Sequence, residues 1–174
     1  MMVRCGRYRL VLAAPFCRVS PSKKNAIRAF DPTQHNGRTH VASQLVVTNS
    51  VPILNIDLQR CTEDDLSFSS PFRLRAQRMD RVHSFVAYFE CAFTQGARQP
   101  LGFSTSPFSK YTHWKQTIFY LDEPISVCEG EEVTGTIACR PNRRNARDLD
   151  IALDIIFDGR HSKISNKRME YRLR

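Results

Sequence analysis

From residue 41 onward the chain alternates apolar and polar positions with a period of two. Phe72, Leu74 and Ala76 fall on one parity, and Arg73, Arg75 and Gln77 on the other. That is the pattern of a strand with one wet face. Leu54, Ile56 and Leu58 alternate in the same way with Asn55 and Asp57 after Pro52, and Gln44 to Thr48 is a further apolar, β-branched run. Val82 to Phe93 is apolar for longer: His83, Phe85, Ala87, Phe89, Cys91 and Phe93 share one parity, with Val86 and Tyr88 on the other. It predicts a central strand covered on both faces. Gln116 to Leu121 is rich in β-branched and aromatic residues, and Val133, Gly135, Ile137 and Cys139 alternate with Thr134, Thr136 and Ala138. The cleanest pattern is Asp148 to Asp158. Leu149, Ile151, Leu153, Ile155 and Phe157 point inward, while Asp148, Asp150, Asp154 and Asp158 point outward. Tyr171 and Leu173 predict a last short strand. Turns are expected at Glu63-Asp64-Asp65, at Leu121-Asp122-Glu123-Pro124, at Glu129-Gly130-Glu131-Glu132 and at Asp158-Gly159. No long segment after residue 41 has helical periodicity, and no fixed-length repeat is visible. The expectation is an all-β fold, a single antiparallel β-barrel or sandwich-like domain over 41–174.

Charge sets the first 40 residues apart. The chain of 174 residues carries 26 Lys and Arg, 17 Asp and Glu, and a formal net charge of +9. Residues 1–40 hold Arg4, Arg7, Arg9, Arg18, Lys23, Lys24, Arg28 and Arg38 against the single acid Asp31. The basic character therefore belongs mostly to this leader rather than to the fold, which makes a nucleic-acid partner an unfavoured reading. Residues 1–40 are expected to form a poorly ordered basic arm. The apolar run Leu10-Val11-Leu12-Ala13-Ala14 among arginines also resembles a transit peptide, without a convincing cleavage motif. No stretch reaches the roughly 20 apolar residues of a membrane-spanning helix, and no membrane partner is expected.

Little else in the chain suggests chemistry. The six cysteines, Cys5, Cys17, Cys61, Cys91, Cys128 and Cys139, form no C-x-x-C pair and have no histidines at zinc-finger spacing. They suggest a reducing compartment, the cytoplasm or the nucleus. His83 lacks a second ligand at suitable spacing and reads as a packed histidine. The aspartates of 148–158 are explained by strand period as a solvated face, and EF-hand spacing is absent, so no metal is expected. Arg140-Pro141-Asn142-Arg143-Arg144-Asn145 reads as a solvated basic hairpin tip. Nucleotide-cradling and hydrolase motifs are missing. What remains is Tyr111-Thr112-His113-Trp114-Lys115-Gln116-Thr117, which holds the only tryptophan of the chain beside a histidine, where a loop enters a strand. Locally this is either a half-buried rim aromatic next to a solvated histidine, or a pair presented by a rigid sheet for binding.

A wider pattern favours the second reading. Gln44-Leu45-Val46, Val86-Ala87-Tyr88-Phe89, Phe103-Ser104-Thr105-Ser106-Pro107, Tyr111 to Thr117, Gly135-Thr136-Ile137, Arg140-Pro141-Asn142, Arg147-Asp148-Leu149-Asp150 and Tyr171-Arg172-Leu173-Arg174 occur in order at consistent spacing. Together they resemble the carboxy-terminal β-barrel of the type I protein arginine methyltransferases. The resemblance runs from about residue 44 to the end, and residues 1–40 have no counterpart in it. It implies transfer of a methyl group from S-adenosylmethionine to arginine side chains of proteins bearing arginine-rich segments. It also implies that Thr112, His113 and Trp114 form the loop closing one side of the arginine pocket. His113 would act catalytically by pairing with an acid of a cofactor domain, and Trp114 would wall the pocket.

The cofactor motif, the paired glutamates and the helical dimerisation arm of that family match no position here. The chain alone is accordingly expected to bind no cofactor and to be inactive. It would work either as the substrate-side barrel of a methyltransferase or, alternatively, as a non-catalytic regulatory or scaffold subunit bound to a full-length methyltransferase.

Overall fold

The computed structural model describes residues 7–13, 41–93 and 101–174. Within them lie nine strands: β1 (Arg7–Ala13), β2 (Val51–Ile56), β3 (Phe68–Arg75), β4 (Asp80–Phe93), β5 (Leu101–Ser104), β6 (Thr117–Val127), β7 (Glu132–Pro141), β8 (Leu149–Asp158) and β9 (Lys163–Leu173). The only helical segments among the described residues are two short 3₁₀ turns, Ser43–Leu45 and Glu63–Leu66. None of the described helices is long and apolar enough to cross a membrane.

The strands form two antiparallel sheets. One runs β2-β1-β4-β5, with β6 also paired to β4, and the other runs β3-β7-β8-β9. The all-β expectation holds, in its sandwich-like form. Alternation explains the join: Leu12, Phe72, Leu74, Phe85, Phe119, Val133, Leu153, Ile155 and Phe157 meet in one core with almost no exposure. A buried Leu or Phe side chain contributes about 1.5–3 kcal/mol, so this layer dominates the stability of the fold. A smaller cluster, Val11, Ala13, Val41, Val46, Val86 and Tyr88, covers the opposite face of the first sheet. β4 is thus covered on both sides, as its long apolar run predicts. Tyr171 ties the layers together, since its hydroxyl donates to the Tyr120 carbonyl at 2.8 Å and its ring meets Phe119 at 5.1 Å.

Several elements differ from the sequence reading. Part of the segment set apart as a basic arm belongs to the sheet: β1 lies between β2 and β4, with Leu10 opposite both Leu54 and Phe89. Its apolar run buries Leu12 and Ala13 completely. The rest of that arm, and with it most of the transit-peptide reading, lies outside the described residues. The turn expected at Leu121–Pro124 is a bulge inside β6. Val82 pairs with Ile125 and Ser84 with Tyr120, so four residues of β6 stand against His83 alone. Pro124 has no N–H for the ladder, and a bulge is how a strand accommodates it. The run at 44–48 is a 3₁₀ turn followed by an isolated bridge from Thr48 to Ala76 rather than a strand. Arg78 holds it, donating to the carbonyls of Val46 and Gln44 at 3.1 and 3.0 Å. The closing strand, expected to be short, is the 11-residue β9.

Candidate functional site

The site is built on β4. β5 pairs with Glu90–Phe93 and β6 with Asp80–Ala87, both along the same side of β4. The chain between them, 105–116, leaves the sheet where those two strands meet. Thr105 fixes the departure. Its N–H donates to the Phe89 carbonyl at 2.9 Å, and its hydroxyl accepts from the Phe89 N–H at 3.0 Å. Gln116 fixes the return. Its side chain is 6% exposed. The amide nitrogen donates to the Thr105 carbonyl at 2.8 Å, and the amide oxygen accepts from the Val41 N–H at 2.8 Å. Inside the loop, Ser106 Oγ accepts from the Phe108 N–H and the Ser106 carbonyl from the Ser109 N–H. That tight turn buries Pro107.

This frame brings Thr112, His113 and Trp114 to the rim. The Thr112 hydroxyl donates to the Trp114 carbonyl at 3.3 Å. His113 is exposed, and Trp114 is 47% exposed. The Trp114 ring does not float. It stacks on Phe103 at 4.8 Å and 17°, meets Phe89 edge-on at 6.1 Å, and has the His113 ring 3.8 Å away. Phe89 in turn stacks on Tyr8 of β1 at 5.1 Å. Aromatic pairs at these separations contribute roughly 0.5–1.5 kcal/mol each. The result is a row of rings running from β1 across β4 and β5 to the loop. Burial in this row, with a smaller push from Cys91, raises the Tyr8 phenol above its ordinary pKa. Tyr111 is exposed, with Lys115 Nζ donating to its hydroxyl at 2.7 Å.

The arrangement offers an exposed imidazole, a flat indole held from behind, and neighbouring polar groups. Aromatic faces attract planar cations such as guanidinium groups, and here the indole has Phe103 and His113 against its ring. Phe89, Phe103, Thr105 and Gln116 do the holding, and none of them stood out as a site residue in the sequence. Their roles come from contacts across the sheet, which local composition does not carry.

The remaining candidates are structural. His83 is half-buried, with Nδ1 2.9 Å from the Arg81 carbonyl, and burial lowers its pKa. The β8 aspartates pair across to β9: Asp150 with Arg172, Asp154 with Arg168 and Asp158 with Lys163, at 3.2, 3.1 and 2.9 Å. Among the described residues no group of three or more His, Cys, Asp or Glu is placed to hold a metal ion. The basic tip is more ordered than expected. Asn142, 8% exposed, donates to both carboxylate oxygens of Asp150 and accepts from the N–H groups of Arg144 and Asn145. That hydrogen bond and the Arg172 contact hold the Asp150 carboxyl below the usual range.

A two-sheet module whose edge loop presents a histidine and a tryptophan is the class of protein that fold and site define. Comparison with known proteins makes it specific. The family described as the arginine methyltransferase oligomerization subdomain matches residues 19–160, and the chain belongs to the protein arginine methyltransferase family. The chain is 45% identical over 129 residues to protein arginine N-methyltransferase 1.1 of Arabidopsis thaliana, covering 74% of this chain and 33% of that protein. It is 45% identical over 134 residues to protein arginine N-methyltransferase 1 of Dictyostelium discoideum, covering 77% and 39%. The match therefore spans 33% to 39% of the length of these curated relatives. Among solved structures, the Trypanosoma brucei arginine methyltransferase 1 enzyme–prozyme heterotetrameric complex with AdoHcy matches with a TM-score of 0.82 at 28% identity, over 97% of this chain and 56% of that one. Arabidopsis thaliana protein arginine methyltransferase 10 shares the fold, with a TM-score of 0.81 at 15% identity over 97% and 60%. The match to the family begins at residue 19, upstream of the boundary that charge suggests at residue 41.

Proposed function

We propose that this chain is the substrate-side module of a protein arginine methyltransferase, presenting the 105–116 loop to an arginine side chain of a protein. The observation that supports the reading best is the exposed Trp114 ring, fixed from behind by Phe103 and Phe89, with His113 against it. Trp114 walls one side of the guanidinium, His113 orients the site through an acid of a cofactor domain, and Thr112 shapes the loop. S-adenosylmethionine supplies the methyl group. It binds that other domain. The substrates are intracellular proteins with arginine-rich segments, histones among them, in the cytoplasm or the nucleus.

The test is a graft. The matching segment of this chain replaces its counterpart in the Dictyostelium relative, and transfer of labelled methyl groups to an arginine-rich peptide is followed. Recovered transfer supports the reading. A folded, cofactor-binding graft that transfers nothing counts against it.

A second reading has its own support. The family description names an oligomerization subdomain, and one structural relative is an enzyme–prozyme complex. The chain would then act as a regulatory or scaffold subunit of a full-length methyltransferase. Co-purification of a defined full-length relative with the tagged chain supports this, and separate elution argues against it.

A further inference from the structure

The polar residue that joins the loop to the rest of the molecule is Gln116. It is buried, and its carboxamide spans two segments that do not otherwise meet through it. The oxygen takes the Val41 N–H and the nitrogen gives to the Thr105 carbonyl, each at 2.8 Å. Val41 is 4% exposed and packs in the small cluster with Val11, Ala13, Val46, Val86 and Tyr88. Thr105 is locked to Phe89 by three hydrogen bonds, at 2.9, 3.0 and 3.2 Å. Phe89 is one of the rings that supports Trp114. A continuous chain of contacts therefore runs from Val41, through the Gln116 amide and Thr105, to the indole.

From this geometry we infer that Gln116 is a positioning residue for His113 and Trp114, and that it couples the backbone at Val41 to the order of their loop. The inference rests on the arginine-binding reading for its functional meaning only. Gln116 is the side chain that ties the two ends of the loop together, while its outer residues Phe108, Tyr111 and Trp114 are 61%, 62% and 47% exposed. Removing the carboxamide frees the Thr105 carbonyl and the Val41 N–H together. The loop and the segment at Val41 then open as one unit, the behaviour of a cooperative local opening. A buried Gln that merely filled space would leave the loop ordered when replaced by an apolar residue of equal length.

Trp114 is the only tryptophan in the chain, so its fluorescence reads this loop without labels. The experiment uses the full 174-residue chain with Gln116→Met, a substitution that keeps length and removes both hydrogen bonds. With far-UV circular dichroism unchanged, acrylamide quenching of Trp114 should rise, by up to about twofold, as local opening exposes the covered half of the indole. Unchanged quenching in a folded variant overturns the inference. A measurement on the unmodified chain stands in if the variant does not fold: amide hydrogen exchange at Val41. Exchange as slow as in β4, and loosened together with Thr105, supports the coupling. Exchange at Val41 as fast as at exposed amides overturns it. Neither readout needs cofactor or substrate, so failure of the arginine-binding reading leaves these outcomes unaffected.

Discussion

Single residues carry costs that alternation does not reveal. Ser84 is fully buried in β4, and its hydroxyl is the one buried side-chain oxygen or nitrogen with no partner among the described residues. An unmade buried hydrogen bond costs about 1–3 kcal/mol. Ser84→Ala is therefore expected to raise stability by about 1 kcal/mol, read as a higher urea midpoint with an unchanged slope. A clear loss would show that the hydroxyl is satisfied. Gly135 is the opposite case. Opposite Phe72 on β3 and Ile155 on β8, it leaves no room for a methyl group, because a Cβ there would run into the Asp154 carbonyl and the Phe72 ring. Gly135→Ala should cost about 1–3 kcal/mol, as overpacking does. In the sequence both residues are small members of a strand pattern. What separates them is the neighbour on the next strand. The same holds at the site: the rarity of Trp114 and its adjacent histidine marks the loop, whereas Phe89, Phe103 and Gln116 acquire their roles only through pairing.

At the scale of elements, strands whose signal is local were readable and strands whose signal lies in their partners were not. β8 announces itself by its own alternation. β9 does not, because Lys163 to Arg168 is polar except for Ile164. Its reason to be a strand is the row of β8 aspartates it neutralises. β1 was hidden by the basic composition around it, since insertion between β2 and β4 is a long-range event. The turns show the same logic. Glu131 closes the β6–β7 turn by accepting from the Cys128 N–H at 2.7 Å, and reaches the β8–β9 turn by accepting from the Arg160 N–H at 2.8 Å. These bonds, from Cys128 first and Arg160 next, hold its pKa below the usual 4.5. Folding thus favours the carboxylate. The contribution is complete above the ordinary value and is lost as pH falls through the lower folded value. Glu131→Gln should lower the urea midpoint at pH 7 and flatten its decline below pH 4.5. An unaltered acid slope would remove Glu131 from the account.

Across the whole molecule, stability depends on keeping the two sheets together, and Tyr171 is a polar tie between them. Burial, with the Asp122 carboxylate as a lesser cause, raises its pKa well above 10.0. The folded state holds the proton more tightly than the unfolded chain. Stability is therefore intact below the ordinary tyrosine value and falls as pH rises above it. Tyr171→Phe removes the bond to Tyr120 and should cost about 1 kcal/mol at neutral pH. It should also lessen the alkaline loss, which paired urea titrations at pH 8 and pH 11 would reveal.

The family and the sandwich were legible from ordered motifs spread over 131 residues, 44–174, because that many blocks at fixed spacing specify a fold more sharply than any one strand. The central functional claim is that His113 and Trp114 form one wall of an arginine pocket. Its most direct test is single-turnover methyl transfer by the graft with the Dictyostelium relative, comparing His113→Ala and Trp114→Ala with the unmodified graft. Each substitution is predicted to slow transfer by about 100-fold, the scale of a misplaced reacting group, with cofactor binding unchanged. Transfer at the unmodified rate in both variants would contradict it.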